Sequence, residues 1–201
     1  MIRRLKSPSK RSEGGGGEGE FIYYKKELKD RHPTLYYNQM HTLNHAWCLW
    51  GHLPQNTDWS LSSYVKIHTF HTVEELIALN ETLEASDVLV KYCMLFLSRE
   101  DIEPTYEDPK NKDGGYFSYK VTNKMVVDTW KQFTYSVAGE SVSRNVGFNN
   151  SITGLTISPK KNFCIIKLLM TNCDHVNPEA VGNQIHGINA IGCRFKRHSE
   201  F

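Results

Sequence analysis

Two aromatic side chains and one carboxylate stand in polar loop sequences, where together they could bind a flat ligand. Trp59 lies in the segment HLPQNTDWS, and Tyr106 is followed directly by Glu107 in the segment IEPTYEDPKNKDGG. Prolines stiffen the second segment, and its closing glycine pair favours a turn into the next strand. Two rings and a carboxylate suit a planar heteroaromatic base with N–H donors on its edge, such as guanine. From these residues alone, aromatic side chains that cover the edge of the core are an equally good interpretation.

The rest of the chain has no pattern typical of catalysis or metal binding. It contains no GxSxG, GxxxxGKS/T or HExxH motif, which carry serine-hydrolase, phosphate-loop and zinc-protease chemistry. Four of the nine histidines form two close pairs, His41/His45 and His68/His71. Neither pair falls on a predicted helix, so a metal site is not expected. Five cysteines without a CxxC pair indicate neither a disulfide framework nor a zinc site. We therefore expect a binding protein that is not an enzyme and carries no metal or cofactor.

Composition and charge restrict the partners. The 201 residues, 39% of them hydrophobic, suit one domain. The longest apolar run, residues 163–170, is interrupted by Lys167 and is shorter than the roughly 20 residues of a membrane helix. Residues 1–31 hold nine basic and five acidic groups, and the rest holds 15 basic against 17 acidic groups, which argues against DNA binding. Without an apolar signal segment we expect a cytoplasmic protein, and the basic residues near the start leave a nuclear location open.

Apolar patterning predicts the elements that hold the two loops. Residues 1–30, rich in glycine, serine and charge, predict a disordered tail, and residues 31–201 are expected to form a single domain. Alternating or continuous apolar residues predict several strands, two of them paired in a hairpin around a polar turn. The predicted strands cover residues 47–52, 64–69, 117–121, 152–158, 163–170 and 190–195.

Three helices are predicted from capping and spacing. The segment TVEE at 72–75 is a capping box and predicts a helix to about residue 84. Apolar residues recur at helical spacing over 126–137, and Gly139 can end that second helix. The Asn-Pro pair at 177–178 predicts the start of a third helix. Strands and hairpins with few helices favour an α+β fold, in which one antiparallel sheet packs about three helices on a face.

Several segments, in the same order, resemble the eukaryotic translation initiation factor 4E family, whose members bind the mRNA cap. IEPTYEDPKNKDGG resembles the family signature IEPMWEDxxNxxGG, and HTLNHAWCLW at 41–50 resembles its HPLxxxWxLW opening. FHTVEE at 70–75 resembles the FxTVExF helix start, and Trp130 with the GES of 139–141 resembles the helix that ends in GES. The match runs from about residue 41 to 195. It implies a curved antiparallel sheet of about eight strands, backed by three helices on the convex face, with 7-methylguanosine in a slot on the concave face.

The resemblance also implies roles for single residues in the slot. Trp59 and Tyr106, the latter where the family usually has Trp, would stack on the two faces of the base, and Glu107 would accept hydrogen bonds from its edge. N7-methylation makes the base cationic, which favours aromatic neighbours. Lys160 falls on a basic position that binds the triphosphate. Other basic positions of the family are missing here, at Tyr116, Asn162 and Ile165, and Lys161, then Lys167, are candidates to compensate.

A second apolar stripe on the first predicted helix is implied to bind a protein partner. Val73 and Ile77 stand at i, i+4, apart from the stripe of Leu76, Leu79 and Leu83 that should face the sheet. Family members bind an amphipathic helix from a scaffold initiation factor or a 4E-binding protein at matching positions. Here those positions are His41, Val73, Ile77, Lys131, Tyr135 and Gly139. Three of them depart from the family, since Ile77 replaces Trp, and Lys131 and Tyr135 replace Leu. The alternative is that Val73 and Ile77 belong to the core.

Three functions are therefore compared. The first is a divergent cap-binding factor that recruits mRNA to translation initiation through a scaffold protein. The alternative is a cap-binding translational repressor that does not recruit the scaffold, which the altered partner residues would suit. A nucleotide-processing enzyme on the same substrate is disfavoured, because no general base or metal cluster is apparent in the sequence. Neither DNA nor a membrane is expected as a partner.

Overall fold

The computed structural model describes residues 40–86, 88–181, 185–191 and 193–200, so the predicted tail at 1–30 lies outside the described residues. Seven strands form one curved antiparallel sheet in the order β2-β1-β3-β5-β6-β4-β7. The strands are β1 (Thr42–His52), β2 (Val65–Thr72), β3 (Met94–Arg99), β4 (Gly115–Thr122), β5 (Ile152–Pro159), β6 (Phe163–Met170) and β7 (Arg194–Arg197). The helices are α1 (Val73–Ser86), α2 (Val88–Tyr92), α3 (Val126–Ala138) and α4 (Val146–Asn150). None of these described helices is long and apolar enough to cross a membrane.

Alternation along the strands separates the two faces of the sheet. On β6, Ile166 and Leu168 are completely buried, while Ile165 and Lys167 are only partly covered. The buried face packs against the helices, with Trp130 of α3 at 1% exposure in the same core. The helices therefore leave the opposite, concave face open, and that face can form the floor of a site.

The two long predicted helices are confirmed. At the start of α1, the Thr72 hydroxyl accepts from the Glu75 amide at 3.3 Å, and the Glu75 carboxylate accepts from the Thr72 amide at 3.0 Å, as a capping box requires. α3 ends at Ala138 with Gly139 as its C-cap. The left-handed residue there is Glu140, with φ 52°. Gly139 is needed for a different reason, because a Cβ at this position would lie 2.9 Å from the Tyr135 carbonyl oxygen.

One predicted element needs correction, and one strand is absent from the predictions. The segment from Asn177 forms only a 3-10 turn at Pro178–Ala180, because the backbone is already extended at Val181. The described residues contain seven strands and four α-helices, two of them of five residues, which agrees with the expected α+β fold of about eight strands and about three helices. β3 was not predicted, because residues 95–98 are buried on both faces of the sheet and so show no alternation.

Candidate functional site

A cavity of about 460 Å³ opens on the concave face of the sheet. Its floor includes Phe96 of β3, Thr156 of β5 and Lys167 of β6, which form one row because their strands pair in that register. Its walls come from the two loops that the sequence singled out. Trp59, Tyr106 and Glu107 all line this cavity, so the structure brings the three predicted base-binding residues together.

The Trp59 wall is supported from behind by a second ring. The His52 imidazole stacks on the indole with 4.2 Å between ring centroids and 3° between planes, and Tyr64 meets the Trp59 ring edge-on at 6.5 Å. His52 is fully buried and does not line the cavity, so it covers the indole face that points away from the cavity. His52 Nε2 donates to the Asp58 carbonyl at 2.8 Å, which fixes the tautomer. Sequence analysis missed His52, and its only signal was a histidine in the apolar strand WCLWGH.

Short side chains fix the backbone on both sides of Trp59. The Asp58 amide donates to the Asn56 side-chain oxygen at 2.9 Å, and the Asp58 carboxylate accepts from the Ser60 amide at 2.8 Å and the Ser60 hydroxyl at 2.9 Å. The hydrogen bonds from Ser60 lower the pKa of the Asp58 carboxyl, so it is ionised at neutral pH. These turns present the indole, which is 51% exposed, in a preset position.

The second loop is held by two buried polar side chains at its base. The Asp108 carboxylate accepts from the Glu103 amide at 2.9 Å and the Lys110 amide at 2.7 Å. The Asn111 side-chain amide donates to the Thr105 carbonyl at 2.7 Å and, at 3.3 Å, to the Glu103 carbonyl. Asp108 and Asn111 are therefore structural residues, and the two residues between Thr105 and Asp108 are displayed to solvent.

Those two displayed residues are electrostatically coupled. A hydrogen bond to the Glu107 carboxylate, and its charge, raise the pKa of the Tyr106 phenol. Burial raises the pKa of Tyr64 to about 12, and the charge of Glu107 adds to that effect. Both phenols are thus neutral at physiological pH. Glu107 is the only carboxylate among the described residues that line the cavity, which makes it the natural acceptor for N–H donors on a ligand.

A C-terminal imidazole, which sequence analysis also missed, closes one side of the cavity. His198 lies in the 3-10 turn that follows β7, and its ring centroid is 6.3 Å from that of Tyr106 and 5.6 Å from that of Tyr116. Burial and the charge of Lys167 lower the pKa of His198, so this ring is neutral at pH 7. Its buried Nε2 has no hydrogen-bond partner in the described part of the chain. Nor do any three described His, Cys, Asp or Glu side chains come together as metal ligands would.

The two lysines predicted to bind phosphate lie beside the cavity and not in its lining. Lys160 and Lys161 are exposed at the turn between β5 and β6. Lys167 lines the cavity instead, with its Nζ 4.0 Å from the centroid of the Tyr116 ring. Burial lowers the pKa of Lys167, and the charges of Lys196 and Lys160 lower it further. Lys160 is therefore close enough to act on the same site electrostatically.

A family model described as Eukaryotic initiation factor 4E matches residues 42–200. That span includes all seven strands and both loops of the cavity. The chain belongs to the initiation factor 4E family. The slot residues named above therefore lie within the part of the chain that carries the family pattern.

Curated relatives from this family match most of the chain. Translation initiation factor 4E-2 of Schizosaccharomyces pombe is 28% identical over 160 residues, which cover 78% of this chain and 60% of that protein. The initiation factor 4E of Candida albicans is 26% identical over 156 residues, covering 74% of this chain and 73% of that protein. The chain therefore spans about three-fifths of the first relative's length and about three-quarters of the second's.

Solved structures of initiation factor 4E proteins share the fold. A schistosome factor complexed with m7GpppG and 4E-BP gives a TM-score of 0.60 at 22% identity, over 68% of this chain and 75% of that one. A Caenorhabditis elegans factor complexed with the 4E-binding protein Mextli and a cap analogue gives a TM-score of 0.64 at 18% identity, over 81% of this chain and 95% of that one. At such identities the likeness establishes the common fold, and function must be argued from the site.

The helical side of the chain carries the residues predicted to bind a protein partner. Val73 is 36% and Ile77 40% exposed, so they do not belong to the core. Leu76, Leu79 and Leu83 are buried against the sheet, as the pattern predicted. α1 therefore presents a short apolar surface to solvent.

The other residues predicted to bind the partner include charged, polar and partly apolar side chains. His41 Nδ1 lies 2.7 Å from the Glu74 carboxylate, which ties the start of β1 to α1. The Lys131 ammonium donates to the Glu84 carboxylate at 2.8 Å, which ties α3 to α1. Tyr135 packs partly buried against the core, and Gly139, described above, caps α3. The surface is thus more polar than a row of leucines would be.

Proposed function

We propose that this chain binds the 7-methylguanosine 5′ cap of mRNA in the slot and recruits the mRNA to translation initiation through a scaffold protein. The observation that carries the proposal is that Trp59, Tyr106 and Glu107 line one cavity of about 460 Å³, a usual size for a small-ligand site. A base stacked on an aromatic side chain gains about 1–3 kcal/mol. The positive charge of a 7-methylated guanine adds a cation–π attraction of about 0.5–2 kcal/mol.

Glu107 supports the choice of guanine over other bases. One edge of guanine carries the N1–H and the N2 amino group, and one carboxylate can accept from both. Each charge-assisted bond is worth about 1.5–3 kcal/mol. Adenine presents an acceptor at N1 next to its N6 amino group, so it offers this carboxylate one donor group where guanine offers two. The proposed activity is binding without turnover, and we expect it to operate in the cytoplasm.

Intrinsic fluorescence tests this function directly. Titration with 7-methyl-GTP should quench tryptophan emission saturably, while ATP should not. The quench should disappear in Trp59→Phe and persist in Trp50→Phe, because Trp50 lies outside the cavity lining. Trp47 and Trp130 are buried at 1% exposure and contribute constant background. A folded chain without saturable quenching by 7-methyl-GTP would contradict the proposal.

Lys160 and Lys161 remain our predicted contacts to the triphosphate, at the rim of the slot. Lys160→Ala and Lys161→Ala should each weaken 7-methyl-GTP several-fold while changing 7-methylguanosine little. The loss should shrink at high salt, because exposed ionic contacts are screened. Equilibrium titrations of both ligands at two salt concentrations measure this, with Lys124→Ala as a charge-matched control away from the cavity. Equal losses for nucleoside and triphosphate would locate the phosphates elsewhere.

We further propose that the exposed stripe on α1 binds an amphipathic helix of a scaffold initiation factor or of a 4E-binding protein. The exposure of Val73 and Ile77, next to polar residues of α3, supports a small apolar contact with a polar rim, as specific interfaces have. Because Lys131 and Tyr135 replace leucine, the preferred partner helix should differ from that of other family members. A chain that bound the cap but no such helix would instead act as a repressor.

Ile77→Asp tests the partner surface. Removing a carboxylate from water in the centre of an apolar contact has a large free-energy cost. The affinity for a scaffold-type peptide should therefore fall at least tenfold. Cap affinity should stay unchanged, because the slot lies on the other face of the sheet. Fluorescence polarisation with a labelled peptide measures the loss, and Ile191→Asp, at a position 88% exposed elsewhere, is the matched control. Equal losses in both variants would argue against the α1 surface.

A further inference from the structure

A lysine side chain stands on the floor of the slot, in the middle of the concave face. Lys167 pairs with Thr156 of β5 and with Ser118 of β4. Its neighbours along β6, Ile166 and Leu168, are completely buried in the core. A shift of register that removed Lys167 from the cavity would therefore expose both. The fold fixes this ammonium group in the slot.

The groups around Lys167 do not neutralise it. Within the described ranges no carboxylate lies within salt-bridge distance of its Nζ. Lys196 on β7 and Lys160 at the β5–β6 turn act on it with like charge, and His198 faces it as a neutral ring. Glu107, the one acid among the described residues of the lining, belongs to the loop above and is the proposed acceptor for the base edge. The floor of the slot is thus cationic before any ligand enters.

We propose that Lys167 is a specificity determinant that weakens the preference of the slot for a positively charged base. The proposal rests on the cap-binding function proposed above. A ring held in a cavity of about 460 Å³ stays within roughly 10 Å of the ammonium, which is about one Debye length at physiological salt, and partly buried charges are screened less than exposed ones. The aromatic walls favour the cationic 7-methylguanine, and Lys167 opposes it. An unmethylated guanine is neutral and escapes that repulsion.

A different role for Lys167 makes a different prediction. If its ammonium contacted the phosphates, its loss would weaken methylated and unmethylated nucleotides by the same factor, because both carry the same triphosphate. If it repels the charged base, its loss changes the ratio of the two affinities. That ratio therefore separates a specificity determinant from a phosphate ligand.

The experiment compares 7-methyl-GTP with GTP on the full chain, on Lys167→Met and on Lys161→Met. Methionine keeps the length and the apolar stem of lysine without its charge. The ratio of the GTP Kd to the 7-methyl-GTP Kd should rise about tenfold in Lys167→Met and less than twofold in Lys161→Met. 7-Methylguanosine, which has no phosphate, should bind Lys167→Met more tightly than the unaltered chain.

The outcomes are distinguishable. An unchanged ratio in Lys167→Met, with both triphosphates weakened, would overturn the proposal while leaving cap binding intact. Failure of both nucleotides to bind the unaltered folded chain would overturn cap binding and this proposal together. If the thermal melt shows that Lys167→Met does not fold, Lys167→Gln replaces it, because glutamine also removes the charge while keeping a polar end. The same rise in the ratio of the two Kd values is expected for that variant.

Discussion

Trp59→Ala should lower the affinity for 7-methyl-GTP about a hundredfold, with little change in melting temperature. The indole supplies one face of the proposed stack, and both the stacking and the cation–π contribution leave with it. Its half-exposed position means that no core packing is lost, although His52 behind it gains contact with water. Isothermal titration measures the affinity, and Trp50→Ala, outside the cavity lining, is the control. If the affinity of Trp59→Ala for 7-methyl-GTP fell by less than a few-fold, the base would not stack on Trp59.

The opposite wall provides the matching test. Tyr106→Ala should weaken binding strongly, whereas Tyr106→Trp should keep or tighten it, because an indole stacks better on a cation than a phenol does. Tyr106→Trp also removes the phenol whose pKa Glu107 raises, so the carboxylate would interact with the ligand alone. A folded Tyr106→Trp chain without cap affinity would mean that this tyrosine serves the ligand through its hydroxyl.

Glu107→Gln should cost about 2 kcal/mol or more of cap affinity, which is roughly a thirtyfold rise in Kd. The amide has one acceptor and one donor where the guanine edge needs two acceptors. Melting temperature should hardly change, because the loop is held by Asp108 and Asn111 and not by Glu107. Glu103→Gln, which removes an exposed carboxylate of the same loop, is the control for net charge. Unchanged cap affinity in Glu107→Gln would contradict the proposal that Glu107 binds the guanine edge in this slot.

Local sequence singled out the loop residues that line the cavity, although it left a role in covering the edge of the core equally open. Trp59, Tyr106 and Glu107 stand in polar segments with turn residues, so their types and neighbours already set them apart from core positions. α1 and α3 were predicted for a similar reason, since a capping box and a helical apolar repeat are contained in one segment.

Residues brought in by long-range pairing could not be predicted in this way. The position of Lys167 in the cavity depends on the register of β6 against two other strands, and that of His198 on where the chain runs after β7. Nothing within either segment specifies these placements. β3 was missed because burial on both faces removes the alternation of polar and apolar residues. The expected helix after Asn177 ends within one turn, because the backbone is extended at Val181, although Val181 and Ile185 are both buried in the core.

The stack of His52 on Trp59 has a kinetic consequence. Because the indole is already held by a parallel ring and by a loop fixed through Asp58, one wall of the slot is in place in the free chain. The conformational entropy of this wall is already lost when the chain folds, so ligand binding does not have to order it. Ligand binding therefore needs little rearrangement of the Trp59 wall, and the association rate constant should be high. Differences in affinity among slot variants should then appear mainly as differences in residence time, with dissociation rates changing far more than association rates.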